Sequence, residues 1–217
     1  MKDKPEKKQP YNPLDKINLG RSVADALLKQ DYKPLPPPSF EGVGIYAIYY
    51  FGDNPRYSRI SRFNKEIPQG WPIYIGKAIQ SGGRKGVINP GIRSKSLFNR
   101  LTKHSQTIHQ VSDLKLKDFK CRYLTIDSIW IPLGEQLLID RYKPLWNSNI
   151  DGFGNNDPGK NRYDGAIPDW HLLHSGVGWV KKMSKFEEEV DLSSLYEKIK
   201  LAQEQVFKDL TQDLNKK

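Results

Sequence analysis

The chain has 217 residues, of which 37% are hydrophobic, so it can form one domain with appendages or at most two small domains. Its 35 lysines and arginines against 25 acidic residues give a formal charge of +10, which favours a polyanionic partner such as nucleic acid or an anionic membrane surface. The single cysteine, Cys121, excludes an internal disulfide framework and a cysteine-based zinc site. No apolar stretch of signal-peptide or membrane-spanning length follows the charged N-terminus, so we expect a cytoplasmic protein with no membrane partner.

Residues 1–40 are expected to form a separate N-terminal segment. Residues 1–16 are polar, rich in lysine and interrupted by proline, which is typical of a flexible basic tail. Apolar residues at helical spacing then predict a short amphipathic helix over 18–30. The proline-rich run 33–38 must be extended, and we interpret it as a stiff spacer before the first strand.

Two short runs rich in β-branched and aromatic residues predict buried strands at 44–50 and 73–77. Because side chains alternate across a sheet, Tyr46 and Tyr74 each share a face with a glycine. Pairing of the two strands could therefore place both hydroxyls at one small concavity, with room for a ligand.

Two basic segments flank the second strand. Residues 51–71 are too long for a tight hairpin and carry Arg59 and Arg62, so they are either a basic insertion with a binding role, as the family resemblance given below implies, or an ordinary solvated loop. Residues 80–95 combine glycines and prolines with basic side chains, and such loops bring backbone donors close to phosphates. We expect DNA contacts from the basic residues of this second loop, which are Arg84, Lys85, Arg93 and Lys95.

Two helices, over 96–108 and 132–142, are predicted on either side of a strand at 119–126. Arg100 and His104 are four residues apart in the first helix, so they project from one face. A last helix, over 186–214, is expected to pack on its own domain in preference to forming a dimer zipper, because it holds few heptads.

Glu135 lies on the apolar stripe of the second of these helices, where a charged carboxylate is costly unless it has a partner. A divalent cation is one possible partner, and an arginine or the helix dipole is the alternative. Only one carboxylate stands at this position, which favours a single Mg²⁺ that keeps most of its waters over a two-metal site.

The tripeptides at 44–46 and 74–76, the second followed by Lys77, resemble the pair that names the GIY-YIG endonucleases. Further residues match that family in the right order, and the resemblance covers residues 41–180. The resemblance implies the catalytic set Tyr46, Tyr74, Arg100, His104, Glu135 and Asn147, with Lys77 near the DNA and Asn147 positioning phosphate or local backbone.

The roles implied by the resemblance leave one question open. Tyr46, Tyr74 or both would activate the attacking water, Arg100 would bind the scissile phosphate, and Glu135 would hold one Mg²⁺ per active site. A tyrosine is only about 0.1% phenolate at pH 7, so nearby cations must lower its pKa or His104 must relay its proton.

The resemblance implies an α/β GIY-YIG nuclease fold, with a small central mixed or antiparallel sheet flanked by helices, an N-terminal helical arm and a C-terminal helix. We expect a catalytic domain over 41–180 with DNA-binding insertions, and the C-terminal helix within 181–217. The motifs Leu-Pro-Pro-Pro, Pro-Ile-Tyr-Ile-Gly-Lys-Ala and Lys-Pro-Leu-Trp-Asn are similar to the branch that cuts the palindrome CCGCGG. That branch implies a Type II restriction endonuclease that is Mg²⁺-dependent, acts on double-stranded DNA as a homodimer, and has a cognate DNA methyltransferase.

Two alternatives keep the same residues but change the function. One is a structure-specific repair or homing-type nuclease, and the other is a non-catalytic basic DNA-binding module in which the tyrosines and Glu135 are core residues. Two other patterns are discounted as weak signals: Asp113 with Asp118-Phe-Lys120, which imitates another restriction-enzyme fold, and the His-x-x-His pair at 171 and 174, which lacks a third metal ligand.

Overall fold

The computed structural model describes residues 12, 14–80, 94–186 and 189–215, and side chains up to residue 209. The strands are β1 (Lys33–Pro34), β2 (Gly44–Tyr50), β3 (Tyr74–Ala78) and β4 (Phe119–Thr125). The helices are α1 (Lys16–Leu28), α2 (Ser58–Glu66), α3 (Ser96–His109), α4 (Ile131–Tyr142), α5 (Leu145–Ser148), α6 (Asp169–Leu173) and α7 (Ser193–Asn215). The predicted strands and helices are present in the predicted order, and the structure adds one strand and three helices that the sequence analysis did not predict: β1, α2, α5 and α6.

The four strands form one antiparallel sheet in the order β1-β4-β2-β3, which confirms the α/β class. In the β2–β3 pair, Tyr46 lies opposite Gly76, and Ile48 lies opposite Tyr74. Strand β3 is one edge of the sheet, and β1 is the other. Residues 33–34 of the expected spacer therefore form part of the sheet, because their backbone pairs with β4.

Helices cover both faces of the sheet. On the face of Ile45, α4 packs so closely that a methyl group at Gly134 would lie 2.5 Å from Val23 of α1. The predicted N-terminal helical arm thus packs on α4 as part of the same core. On the face of Tyr46, the buried side chains come from α3, from α5 and from the turn before α2.

The insertion between the two tyrosine strands folds as a helical turn (Pro55–Tyr57) followed by α2. Asn64 of α2 joins the end of β2 to the segment before β3, because its amide donates to the carbonyl of Tyr50 at 2.9 Å and its oxygen accepts from the N–H of Trp71 at 2.5 Å. Phe63 of α2 in turn contacts Phe207, so α7 packs against its own domain. Within the described ranges, no helix combines the length and the apolar character needed to cross a bilayer.

Candidate active site

The centre of the site is a buried contact between Tyr46 of β2 and His104 of α3, with the phenol oxygen 2.6 Å from Nε2 of the imidazole. The helical spacing predicted for Arg100 places its Nε 3.4 Å from the same phenol oxygen. Both Tyr46 and His104 are fully buried. Gly76 lies opposite on β3 and makes this contact possible, because a methyl group there would be 2.4 Å from the phenol oxygen.

Burial decides the protonation states of this pair. It lowers the pKa of His104 well below its ordinary value, and the charges of Arg100 and Lys103 lower it further, so the imidazole is neutral. Burial also raises the pKa of Tyr46 well above 10, and the opposing effect of Arg100 is smaller. Of the two alternatives that the sequence left open, a pKa lowered by nearby cations is wrong for Tyr46, since desolvation outweighs the effect of Arg100. The resting phenol is therefore protonated, and the tautomer of the neutral imidazole decides which of the two groups donates the hydrogen bond between them.

Tyr74 is on the same face as Tyr46, as the alternation of side chains predicted. The ring centroids of the two tyrosines are 6.2 Å apart, and the ring of Tyr74 is 5.2 Å from that of His104. Both phenols thus border one site, but it is Tyr46 whose hydroxyl meets the imidazole.

Phe153 and Gly154 cover the imidazole, and the sequence analysis did not assign them to the site. The ring of Phe153 stacks on His104 at a centroid distance of 4.6 Å, and the carbonyl of Gly154 accepts a hydrogen bond from Arg100 at 3.1 Å. Gly154 has φ +76°, and a methyl group there would lie 2.4 Å from the imidazole. A phenylalanine between Gly152 and Gly154 in a turn-rich segment was the signal that the sequence offered.

Glu135 of α4 forms an ion pair with Lys77 of β3, with 2.5 Å between Oε2 and Nζ. The side chain of Glu135 is only 17% exposed, so its charge needs a partner. The structure shows that this partner is Lys77. Because Lys77 follows Gly76, it points to the opposite face of the sheet, and Glu135 approaches β3 from the side away from Tyr46. The acid and the phenol therefore flank the edge strand.

The donor set around Glu135 fits one hard cation. The described residues contain no group of three histidine, cysteine, aspartate or glutamate side chains that could hold a metal ion. Mg²⁺ commonly binds proteins through one or two carboxylates and keeps several waters, and Lys77 donates its hydrogen bond to Oε2 of Glu135. The arrangement suits a single ion bound through Glu135 and water, and a two-metal cage is not built by these residues.

Asn147 acts on the backbone of β3. Its side-chain oxygen accepts from the N–H of Ile75 at 2.8 Å, and its amide donates to the carbonyl of Ile75 at 2.8 Å. The neighbouring N–H of Trp146 donates to the carbonyl of Ile73 at 3.0 Å. Of the two implied roles, the structure shows Asn147 in contact with local backbone.

The expected DNA-binding residues have varied surroundings. Arg59 forms an ion pair with Glu204 of α7 at 3.1 Å, and Arg62 is exposed. Lys95 donates to the hydroxyl of Ser39 at 3.2 Å. The remaining basic residues expected to contact DNA, Arg84, Lys85 and Arg93, lie outside the described residues.

The two discounted patterns meet in a buried network. The hydroxyl of Tyr57 lies 2.5 Å from Nε2 of His174, whose Nδ1 is 2.8 Å from Asp113, and Arg56 pairs with the same carboxylate at 2.8 Å. Trp146 donates to Tyr57 at 3.2 Å, so the network supports the helix that carries Asn147. Burial lowers the pKa of His174 despite the opposing effect of Asp113, and the histidine is neutral.

The antiparallel sheet, the two tripeptides side by side on its central and edge strands, and the arginine and histidine of α3 above them define a GIY-YIG nuclease domain. The family model for the Eco29kI GIY-YIG domain matches residues 38–203, and the chain belongs to this family. Eco29kI itself is a Type II restriction endonuclease that cuts CCGCGG. No curated protein matches the chain.

The match extends beyond the catalytic domain expected over 41–180 and includes the first half of α7. The chain therefore carries a restriction-type DNA endonuclease domain, for which double-stranded DNA is the implied substrate. Nucleases of this class generally use divalent metal ions.

Proposed function

We propose that the protein is a Type II restriction endonuclease that hydrolyses double-stranded DNA with Mg²⁺ at the palindrome CCGCGG. The observation that carries the proposal is the buried contact of 2.6 Å between Tyr46 and a neutral His104, with Arg100 beside the same hydroxyl. Burial keeps the imidazole neutral, and in the Nδ1–H tautomer that we propose, its Nε2 has a free lone pair that can accept the proton of the phenol.

In the proposed mechanism, Tyr46 is the residue that activates the water. The phenol passes its proton to Nε2 of His104 as it takes a proton from the attacking water. The resulting hydroxide forms the new bond to phosphorus, and the bond to the leaving oxygen breaks. Tyr74 borders the same site. Since it is the hydroxyl of Tyr46 that contacts His104, we assign the proton transfer to Tyr46 and the positioning of the water to Tyr74.

Arg100 binds the scissile phosphate and stabilises the charge that develops on it. Its position is fixed from two sides, by the phenol of Tyr46 and the carbonyl of Gly154. Glu135 would hold the Mg²⁺ ion, which supplies positive charge to the phosphoryl and leaving oxygens when bound. Lys77 balances the charge of this carboxylate, and its exposure on the edge strand β3 supports a contact with a phosphate of the DNA.

The remaining parts of the proposal follow from palindromic cutting. Two active sites related by a twofold axis imply a homodimer on DNA. A cognate methyltransferase in the same cytoplasm would protect the host DNA. The formal charge of +10 favours DNA binding, and we propose contacts to the backbone from Lys77, Arg59, Arg62, Arg84, Lys85, Arg93 and Lys95.

Digestion of plasmid DNA of known sequence, with Mg²⁺ or with EDTA, tests this function. Discrete fragments that end at CCGCGG and require Mg²⁺ are expected. Nicks at branched or bent structures would support the repair-type alternative, and binding without cleavage would support a non-catalytic module.

Variants of the site separate the roles in the same assay. Tyr46→Phe should reduce the cleavage rate by about 10²- to 10⁴-fold while DNA binding in Ca²⁺ is kept. The matched control is Tyr196→Phe, on the exposed side of α7, which should cut like the wild type. Glu135→Ala should abolish cutting without loss of binding. If Tyr46→Phe cuts at the wild-type rate and Tyr74→Phe does not, the water is activated by Tyr74 and the proposed relay is wrong.

A further inference from the structure

The segment 155–165, here called the Asn loop, starts at the active site. It follows Gly154, whose carbonyl accepts a hydrogen bond from Arg100. Its second residue, Asn156, accepts a hydrogen bond from Lys103, which lies one turn from Arg100 on α3. On the proposed function, a duplex whose scissile phosphate rests on Arg100 therefore has its neighbouring bases beside this loop.

The Asn loop is held in one shape by a hub at Asp157. The carboxylate accepts from the N–H of Gly159 at 2.9 Å and from the hydroxyl of Tyr163 at 3.0 Å, and Lys182 pairs with it at 3.3 Å. The carbonyl of Tyr163 also accepts from the N–H of Ser184 at 3.0 Å. These bonds tie both halves of the loop to each other and to the segment before α7, so its outward side chains are presented from a fixed frame.

Several exposed side chains of the Asn loop belong to the residue types that can pair with base edges. Asn155, Asn161 and Arg162 are exposed, and they line a cavity of about 390 Å³ with Asp164 and Trp179. Guanidinium and amide groups form paired hydrogen bonds with base edges in the major groove, and arginine on guanine is the commonest of these contacts. The polar atoms of Asp157 and Tyr163 are used inside the loop, whereas the side chains of Asn161 and Arg162 are exposed.

We propose that the Asn loop determines sequence specificity, with Arg162 reading a guanine and Asn161 an adjacent base. This inference rests on the proposed function, because it assigns base recognition to the same nuclease. Arg162 is a stronger candidate for base reading than Asn161, because it carries the guanidinium group of the loop. Its backbone N–H also donates to the carbonyl of Gly159 at 2.9 Å, which fixes its position. Lys160 is next to them, is also exposed, and offers only a point charge for phosphate.

The test is selection from a pool of DNA duplexes with ten randomised base pairs, bound to the full-length protein in Ca²⁺ and sequenced. The wild type should enrich one palindromic site. Arg162→Ala should lose preference at one base pair of each half-site, with discrimination there reduced by about 5- to 150-fold. Lys160→Ala should bind every sequence more weakly and enrich the same site.

Arg162→Lys distinguishes the two kinds of contact directly. A phosphate contact tolerates lysine, whereas a paired contact to guanine does not, so this variant should resemble Arg162→Ala in its base preference. Thermal unfolding of each variant checks the fold. Asn161→Ala provides a second position that should relax preference at a neighbouring base pair.

Two outcomes overturn the inference. If Arg162→Ala and Asn161→Ala enrich the wild-type site with unchanged preference, or weaken all sequences as Lys160→Ala does, the Asn loop does not read bases. If the wild type enriches no site, both this inference and the proposed restriction function fail. If the wild type enriches one site and the variants keep the same preferences, base reading by the Asn loop is refuted while the proposed restriction function stands.

Discussion

Gly76 is the position where one methyl group should cost the most. In Gly76→Ala, the added carbon would lie 2.4 Å from the hydroxyl oxygen of Tyr46 and 2.6 Å from the ring carbon that bears it. The ring of Tyr46 is fully buried, so it cannot move aside without disturbing the core. Overpacking of this kind costs about 1–3 kcal/mol, and breaking the buried bond to His104 adds about 1–3 kcal/mol. We therefore expect a loss of about 2–6 kcal/mol in the free energy of unfolding.

Urea unfolding measures this loss, and the rate of DNA cleavage measures the displacement of the phenol. The cleavage rate of Gly76→Ala should fall as far as that of Tyr46→Phe, because both variants remove the same proton path. Gly178→Ala is the matched control, since an added methyl group there meets no atom within 4 Å. A Gly76→Ala protein that unfolds and cuts like the wild type would refute the described contact between β3, Tyr46 and His104.

Two further predictions concern parts of the fold that support the site. Asn147→Ala should lower the free energy of unfolding by about 1–3 kcal/mol, because the N–H and the carbonyl of Ile75 lose their partner; an unchanged melting temperature would contradict this. His171 is buried, and this desolvation lowers its pKa to about 4. Since the unfolded value is about 6.5, the unfolded chain binds more protons between these values, and His171 by itself should contribute a fall in stability of up to about 3 kcal/mol as the pH drops from 6.5 to 4. His171→Phe should flatten urea midpoints measured across this range, and an equally steep curve in that variant would disprove the assignment.

Local sequence signals were sufficient for most of the fold. The β-branched and aromatic runs predicted β2 and β3 because buried strands need such side chains. Helical spacing put Arg100 and His104 on one face, and the structure shows both at the hydroxyl of Tyr46. Each of these predictions depends on residues that are close in the sequence, where backbone geometry fixes their relation.

Contacts between distant segments were beyond the reach of the sequence. No periodicity indicates that Phe153 stacks on His104, which is 49 positions earlier, or that Lys77 is the partner of Glu135. The raised pKa of Tyr46 also depends on burial by several elements at once, which the sequence does not show. The nearby cations, which the sequence does show, favour a lowered pKa. The short strand β1 was missed because proline is ordinarily a poor strand former, yet it is tolerated at the edge of a sheet.

The bonds from Asn147 to β3 have a consequence for assembly. An exposed edge strand is a template on which other chains can add, and long open edges lead to aggregation. The carboxamide of Asn147 satisfies both backbone groups of Ile75, as a neighbouring strand would. Lys77 lies two residues further along the same edge strand. The edge strand β3 can thus carry site residues while its backbone at Ile75 is not available for the addition of a strand from a second polypeptide.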